Sequence, residues 1–158
     1  MRVLVYGAGA IGGYLGGQLA LAGHDVVLVT RPAAVAAIAA GGLLITQAGA
    51  TRAAPVRAVT GLEEALTGMN PDLIVLGMKS YDLAPAVAAL ADLCPQPRQL
   101  LTTQNGIGVE DLVAARFDPV CILAGTVTVP VSRAGANRLI VERAGRGNPR
   151  GGGGSTGH

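Results

Sequence analysis

The chain has 158 residues and a formal net charge of +2; half of its residues are hydrophobic, but only 3% are aromatic. That length suits one domain burying roughly two-thirds of the surface of its unfolded chain, so the core must be closely packed Ala, Val, Leu and Ile. So small a charge argues against nucleic acid as the main partner. No apolar run is long enough to span a bilayer, and Met1 leads into an apolar segment without a basic leader, so a cytoplasmic protein with no membrane partner is expected.

Arg2–Tyr6 is a short apolar run ending in glycines, the pattern of a buried strand. Ala10–Ala22 has helical spacing, with Ile11, Leu15, Leu19 and Ala22 on one face, and Gly23 supplies a left-handed cap. Asp25–Thr30 is a second strand. Pro32–Ala40 is a helix with Pro in its first turn, ended by Gly41 and Gly42. Leu43–Gln47 and Pro55–Val59 are short strands expected to pair as a hairpin, followed by a short helix at Leu62–Leu66.

Asp72–Gly77 is another buried strand and Tyr81–Leu93 another helix. Gln99–Thr103 is a strand, Val109–Ala115 a helix, Val120–Val129 a longer strand and Leu139–Glu142 one more. Alternating strands and helices predict an α/β fold of the doubly wound Rossmann type, a mainly parallel sheet with helices on both faces. This domain is expected to cover residues 1–144. Residues 145–158 form a Gly-rich tail of linker-like composition, expected to be disordered because it has too little apolar surface to offset its ordering entropy. The cysteines, Cys94 and Cys121, have no CxxC spacing and no neighbouring His; they are expected to be small buried thiols rather than metal or redox ligands.

Gly7-Ala8-Gly9-Ala10-Ile11-Gly12 is a GxGxxG motif in the context that gives it meaning, between a strand and a helix, with a second strand returning by residue 25. Gly7 permits the tight turn, Gly9 lets a pyrophosphate approach the backbone, and Gly12 lets the helix pack on the strand. The free N–H groups of the helix N-terminus favour phosphate. The end of the second strand selects the dinucleotide. NAD sites commonly place Asp or Glu there for the ribose 2′-hydroxyl, but this chain has Val29-Thr30-Arg31. Arg31 stands where a 2′-phosphate would lie, so NADP (NADPH) is the expected cofactor. Asp25 and His24 fall at the opposite end of the strand.

Lys79, the sole lysine, follows the strand at 72–77, and Asn105 follows the strand at 99–103. Both therefore stand at the carboxyl edge of the sheet, where ligands of this fold bind. Ser80 is positioned to cap the next helix. Sheet position alone leaves open a surface lysine and an Asn-Gly turn.

Taken together, GAGAIGG at the start, Arg31, Met78-Lys79-Ser80-Tyr81-Asp82 and Gln104-Asn105-Gly106-Ile107-Gly108 resemble the ketopantoate reductase (2-dehydropantoate 2-reductase) family. The stretch from Ile38 to Leu43 and Gly125-Thr126 resemble it too, so the likeness covers about residues 1–142, that family's N-terminal domain. It implies NADPH-dependent reduction of ketopantoate to pantoate, toward pantothenate and coenzyme A. It further implies that Gly7 to Gly12 hold the pyrophosphate and Arg31 reads the 2′-phosphate. Lys79 would contact the cofactor, and Asn105 both cofactor and substrate. Val131 falls near the cofactor by simple count from Gly125.

Ketone reduction also needs a group to stabilise and protonate the developing oxyanion. The resemblance implies that this is a lysine in a second, helical domain, absent from this chain. No catalytic residue is therefore expected here; Tyr6, Tyr14 and Tyr81 are the remaining donors and are expected to substitute poorly. Three readings stay open: the cofactor half of a ketopantoate reductase-like enzyme, inactive alone; a standalone NADP-binding module or subunit; or a reductase of another 2-keto acid. The uncovered docking face, with the strand edge around residues 120–131, is a surface for self-association.

Overall fold

The computed structural model describes residues 1–104 and 108–142. Asn105 and the Gly-rich tail lie outside the described residues.

Ten strands and five helices follow one another in this part of the chain. β1 (Arg2–Tyr6) leads through a short loop into α1 (Ala10–Leu21), and β2 (Asp25–Val29) into α2 (Pro32–Gly41). β3 (Leu43–Gln47), β4 (Ala50–Ala54), β5 (Arg57–Val59) and α3 (Leu62–Leu66) follow. Next come β6 (Leu73–Leu76), α4 (Ser80–Leu93), β7 (Leu100–Thr102) and α5 (Val109–Ala114). A single 3₁₀ turn at Pro119–Cys121 precedes β8 (Ile122–Ala124), and β9 (Val131–Gly135) and β10 (Arg138–Val141) close the described chain.

The strands form two sheets. Six parallel strands run in the order β5-β2-β1-β6-β7-β8, with the chain reversing direction across the sheet at β1. This is the doubly wound arrangement expected from the alternation of elements. Side chains alternate between its faces, as period two requires. Leu4, Val27, Val29, Ile74 and Leu76 pack under α3, α4 and α5. Val3, Val5, Val26, Leu28 and Val75 face the opposite way, toward α1 and α2.

The second sheet has four strands in the order β4-β3-β10-β9 and was not anticipated. β3 pairs antiparallel with β4, not with residues 55–59 as expected. Ala48 and Gly49, both at positive φ (53° and 80°), make the two-residue turn between them, a conformation that matches strand twist. Arg57–Val59 joins the large sheet instead, parallel to β2. The long strand expected at Val120–Val129 is only three residues, because Pro119–Cys121 coils into the 3₁₀ turn, where the Asp118 carboxylate accepts from the Val120 N–H. β10 pairs parallel with β3 and antiparallel with β9.

α1 lies between the two sheets, and it packs on glycines rather than on Ile11, Leu15, Leu19 and Ala22. Its buried residues are Gly12, Gly13, Gly16, Gly17 and Ala20. A Cβ on Gly16 would sit 2.7 Å from Leu28 Cδ2 in the large sheet. A Cβ on Gly13 would sit 3.1 Å from Leu139 Cδ1 in the small sheet, and one on Gly17 would collide with Ile45 there. Ile11, Leu15 and Leu19 are only partly buried, and Ala22 is exposed. Gly23, at φ 99°, ends the helix as expected.

Both cysteines are free thiols; Cys121 is buried but Cys94 only half-buried. Desolvation pushes both thiols up, which keeps them protonated. Among the described residues, no helix is long and apolar enough to cross a membrane.

Candidate functional site

The carboxyl ends of β1, β2 and β6 open onto one recess of about 480 Å³. It is lined by the loop from Gly7 to Ala10, by Thr30 and Arg31 after β2, and by Gly77, Met78 and Lys79 after β6. The structure thus gathers Gly7, Ala8, Gly9, Ala10, Arg31 and Lys79, residues 72 positions apart at their extremes, at the predicted edge of the sheet. Ile11 and Gly12 do not line the recess. Gly12 is buried against Gly7 and Val5, in the packing role expected of the last glycine of the motif.

The loop owes its shape to three glycines that touch. Gly7 has φ 86°, and a Cβ there would meet the Met78 backbone nitrogen at 2.7 Å. A Cβ on Gly77 would fall 2.6 Å from the Gly7 carbonyl oxygen, and one on Gly12 2.8 Å from the same oxygen. Gly9 is the opposite case: a Cβ there would meet nothing within 4 Å. Gly9 is not needed for packing inside the protein; its missing side chain leaves open space over the loop, which suits a ligand approaching the backbone.

Backbone bonds hold this loop to β2. The N–H groups of Gly7 and Ala8 both donate to the Val29 carbonyl, at 3.3 and 3.0 Å, and Thr30 Oγ1 donates to the Ala8 carbonyl at 3.2 Å. α1 begins immediately beyond, with Ala10 bordering the recess and no acidic residue in its first turn, so no carboxylate of the helix offsets the positive end of its dipole there. α2 is similar: Arg31 occupies its N-cap position, Pro32 its first turn, and no acidic residue follows.

Lys79 is exposed and occupies the N-cap position of α4; Ser80 is that helix's first residue, and no side-chain capping bond forms, contrary to the expected Ser80 cap. The segment leading to Lys79 is held from β7. Gln104 Nε2 donates to the carbonyls of Leu76 and Met78, at 2.7 and 2.6 Å, and Thr103 Oγ1 donates to Leu76 at 2.9 Å. Gln104 belongs to the motif quoted above, but its positioning role depends on β6 and β7 being neighbours, which sequence spacing does not state.

Two of the three tyrosines border the recess. Tyr6 is partly buried, and desolvation pushes its hydroxyl above the ordinary range. Tyr81 is 76% exposed. Tyr14 does not border it; it lies along α1. His24 stands at the amino edge of the sheet, its Nδ1 3.1 Å from the Met1 amino group, away from the site as expected.

Arg133 also lines the recess, and sequence reading missed it. It lies on β9, within a run, Val-Ser-Arg-Ala-Gly, whose weak apolar pattern gave no strand signal. Val131, expected near the cofactor by counting, packs among the residues around α1 and does not line the recess.

Comparison with known proteins gives a consistent result. The family model described as ketopantoate reductase PanE/ApbA matches residues 3–148. The chain is 42% identical to a 2-dehydropantoate 2-reductase of Mesorhizobium japonicum over 108 residues, 68% of this chain and 32% of that protein. It is 33% identical to one from Halobacterium salinarum, across 93% of this chain and 47% of that protein. Among solved structures, a PanE/ApbA family ketopantoate reductase from Ralstonia eutropha matches with a TM-score of 0.78 at 30% identity, covering 89% of this chain and 46% of that one. D-mandelate dehydrogenase, solved with NADH and anilino(oxo)acetate, also matches with a TM-score of 0.78, at 25% identity over 90% of this chain and 45% of that one. The chain spans less than half the length of each of these relatives.

Proposed function

This chain belongs to the ketopantoate reductase family, and we propose that its recess holds NADPH for the reduction of 2-dehydropantoate to pantoate. The observation that carries this reading is the convergence of an open glycine, Gly9, with Arg31 and Lys79 on one recess at the carboxyl edge of the sheet.

Each residue then has a role set by its position. The loop from Gly7 to Gly12 holds the pyrophosphate against its backbone, and the donors are the N–H groups at the start of α1, from Ala10 onward, because those of Gly7, Ala8 and Gly9 are already bonded within the protein. Arg31 pairs with the 2′-phosphate, and Lys79 holds the cofactor from the β6 side. Asn105, outside the described residues, is proposed to contact both cofactor and substrate. A bound NADPH supplies hydride to the ketone carbon.

The ketone oxygen must gain a proton as hydride arrives. Tyr6 is a weak acid because burial raises its pKa, and Tyr81 is too exposed to be held in place. Lys79 is committed to the cofactor. The proposal therefore assigns no general acid to residues 1–142, and the 158-residue chain is expected to bind NADPH with little ketopantoate turnover. The likeness to D-mandelate dehydrogenase favours a second reading, a different 2-keto acid as substrate.

The deciding experiment is titration of the chain with NADPH and NADH, with and without Arg31→Ala. A hydrogen bond to a charged group contributes roughly 1.5–3 kcal/mol, so the substitution should weaken NADPH about 10- to 100-fold. NADH should change little. An equal loss for both cofactors would remove Arg31 from the 2′-phosphate role. Turnover of a panel of 2-keto acids by the chain would both overturn its expected inactivity and rank the two substrates.

A further inference from the structure

We infer that Arg133 is a second reader of the 2′-phosphate, placed opposite Arg31 by the small sheet; the inference rests on the NADPH reading above. The register puts it there. Arg133 is the direct cross-strand partner of Leu139, so both side chains leave the same face of the sheet. Leu139 is buried and its Cδ1 packs toward Gly13 of α1, so that face is the one turned toward the glycine loop.

Arg133 accordingly borders the main recess together with Gly9, Arg31 and Lys79. It also borders a smaller recess of about 360 Å³, which has Arg31, Ala33 and Ala34 on one side and Arg133, Gly135 and Ala136 on the other. Ala33, Ala34, Gly135 and Ala136 are small, so the gap that the two arginines border stays open, one arginine following β2 of the large sheet and the other standing on β9 of the small one. Among the described residues, neither arginine has a carboxylate within ion-pair distance; the described ion pairs both involve Asp72. Two like charges facing one gap repel, and a phosphate monoester relieves that repulsion while accepting hydrogen bonds from both forks. Arg31 lies where the second strand ends, the position that reads the ribose 2′ substituent, so the phosphate between the two arginines is the 2′-phosphate.

Binding separates the possibilities. The full chain would be titrated with NADPH, NADH, adenosine 2′,5′-bisphosphate and adenosine 5′-monophosphate, for the unaltered protein, Arg31→Ala, Arg133→Ala and Arg133→Gln. Arg133 is exposed on the last strand of the small sheet, and circular dichroism would verify the fold of each variant. Loss of one charge-assisted contact should weaken NADPH and the bisphosphate about tenfold or more. NADH and the monophosphate should stay within about twofold, and the salt dependence of NADPH binding should become shallower. An equal loss for all four probes would assign Arg133 to the shared adenosine or phosphate portion and overturn the proposal. So would no loss for any. A preference for NADPH that Arg31→Ala removes and Arg133→Ala leaves intact would sink the role of Arg133 alone. An unaltered chain with no preference between NADPH and NADH would sink the NADPH reading, and this inference with it.

Discussion

The two sheets of this protein solve different problems with different kinds of sequence. The central strands of the large sheet are covered on both faces, so β1, β2 and β6 are almost continuous runs of Val, Leu and Ile. The small sheet is covered on one face only: Leu43, Ile45, Ala54, Leu139 and Val141 are buried, while most residues of β4 and β9 are exposed. The first kind of strand needs no partner to be recognised; the second takes its identity from what it packs against. Yet the site draws on both, for the glycine loop, Arg31 and Lys79 come from the large sheet and Arg133 from the small one. α1 joins them, using glycines where most helices use leucines.

The sharpest break between site and scaffold is expected at two glycines of the same recess. Gly9→Val should abolish binding of either nicotinamide cofactor, about 100-fold or more, because the branched side chain fills the open space over the loop. Its thermal unfolding should fall only modestly, since the new Cβ meets no protein atom and the cost is that of a poorer N-cap residue on α1. Retained binding would refute the approach of a pyrophosphate at this point. Gly77→Ala should lose binding and stability together, because its Cβ runs into the backbone carbonyl of Gly7, which cannot rotate away. Overpacking of this kind costs about 1–3 kcal/mol, measurable by denaturant unfolding.

A matched pair on α1 tests the sheets against each other. Gly16→Val presses on Leu28 and Val5 of the large sheet, and Gly17→Val on Ile45 and Leu43 of the small one. Each should cost about 1–3 kcal/mol, reduced by only ~0.3–0.5 kcal/mol from the slightly better helix propensity of Val over Gly. Hydrogen exchange should distinguish them. Gly17→Val should raise exchange in β3 and β10 while β1, β2 and β6 stay protected, whereas Gly16→Val should loosen the large sheet too. Identical exchange maps for the two variants would mean that the sheets unfold as one unit.

The smallest effect is expected at the amino edge of the large sheet. Asp72 accepts from the Arg2 backbone N–H at 2.8 Å, and its carboxyl is held below the ordinary range mainly by that bond, with Arg2 and Arg98 adding attraction. A lowered folded pKa stabilises the protein in full above the ordinary carboxylate value. The contribution fades as pH falls below that value and through the folded one. Asp72→Asn should therefore flatten the acid limb of a stability–pH curve and leave its neutral limb parallel to that of the unaltered chain. An unchanged acid limb would show that Asp72 titrates alike in the folded and unfolded states.

The sequence by itself determined the parallel sheet, the glycine loop and the edge where Arg31 and Lys79 stand. These follow from local signals: apolar runs of strand length, glycines at fixed spacing, and a fold rule that sends ligands to the carboxyl ends of strands. The tertiary structure alone decided which face of α1 is buried, because a glycine face becomes a packing face only when two sheets close on it. It also decided that residues 50–54 and 131–135 are strands: half-exposed runs such as Ala-Thr-Arg-Ala-Ala carry no apolar alternation to mark them, and the two local hairpins they form become one sheet only through the distant pairing of residues 44–47 with 138–141. Gln104 and Arg133 belong to that second class. Gln104 reaches the Leu76 and Met78 carbonyls across a strand pairing and Arg133 borders the recess across a sheet interface, and such nearness is a property of the fold, not of the residues beside each.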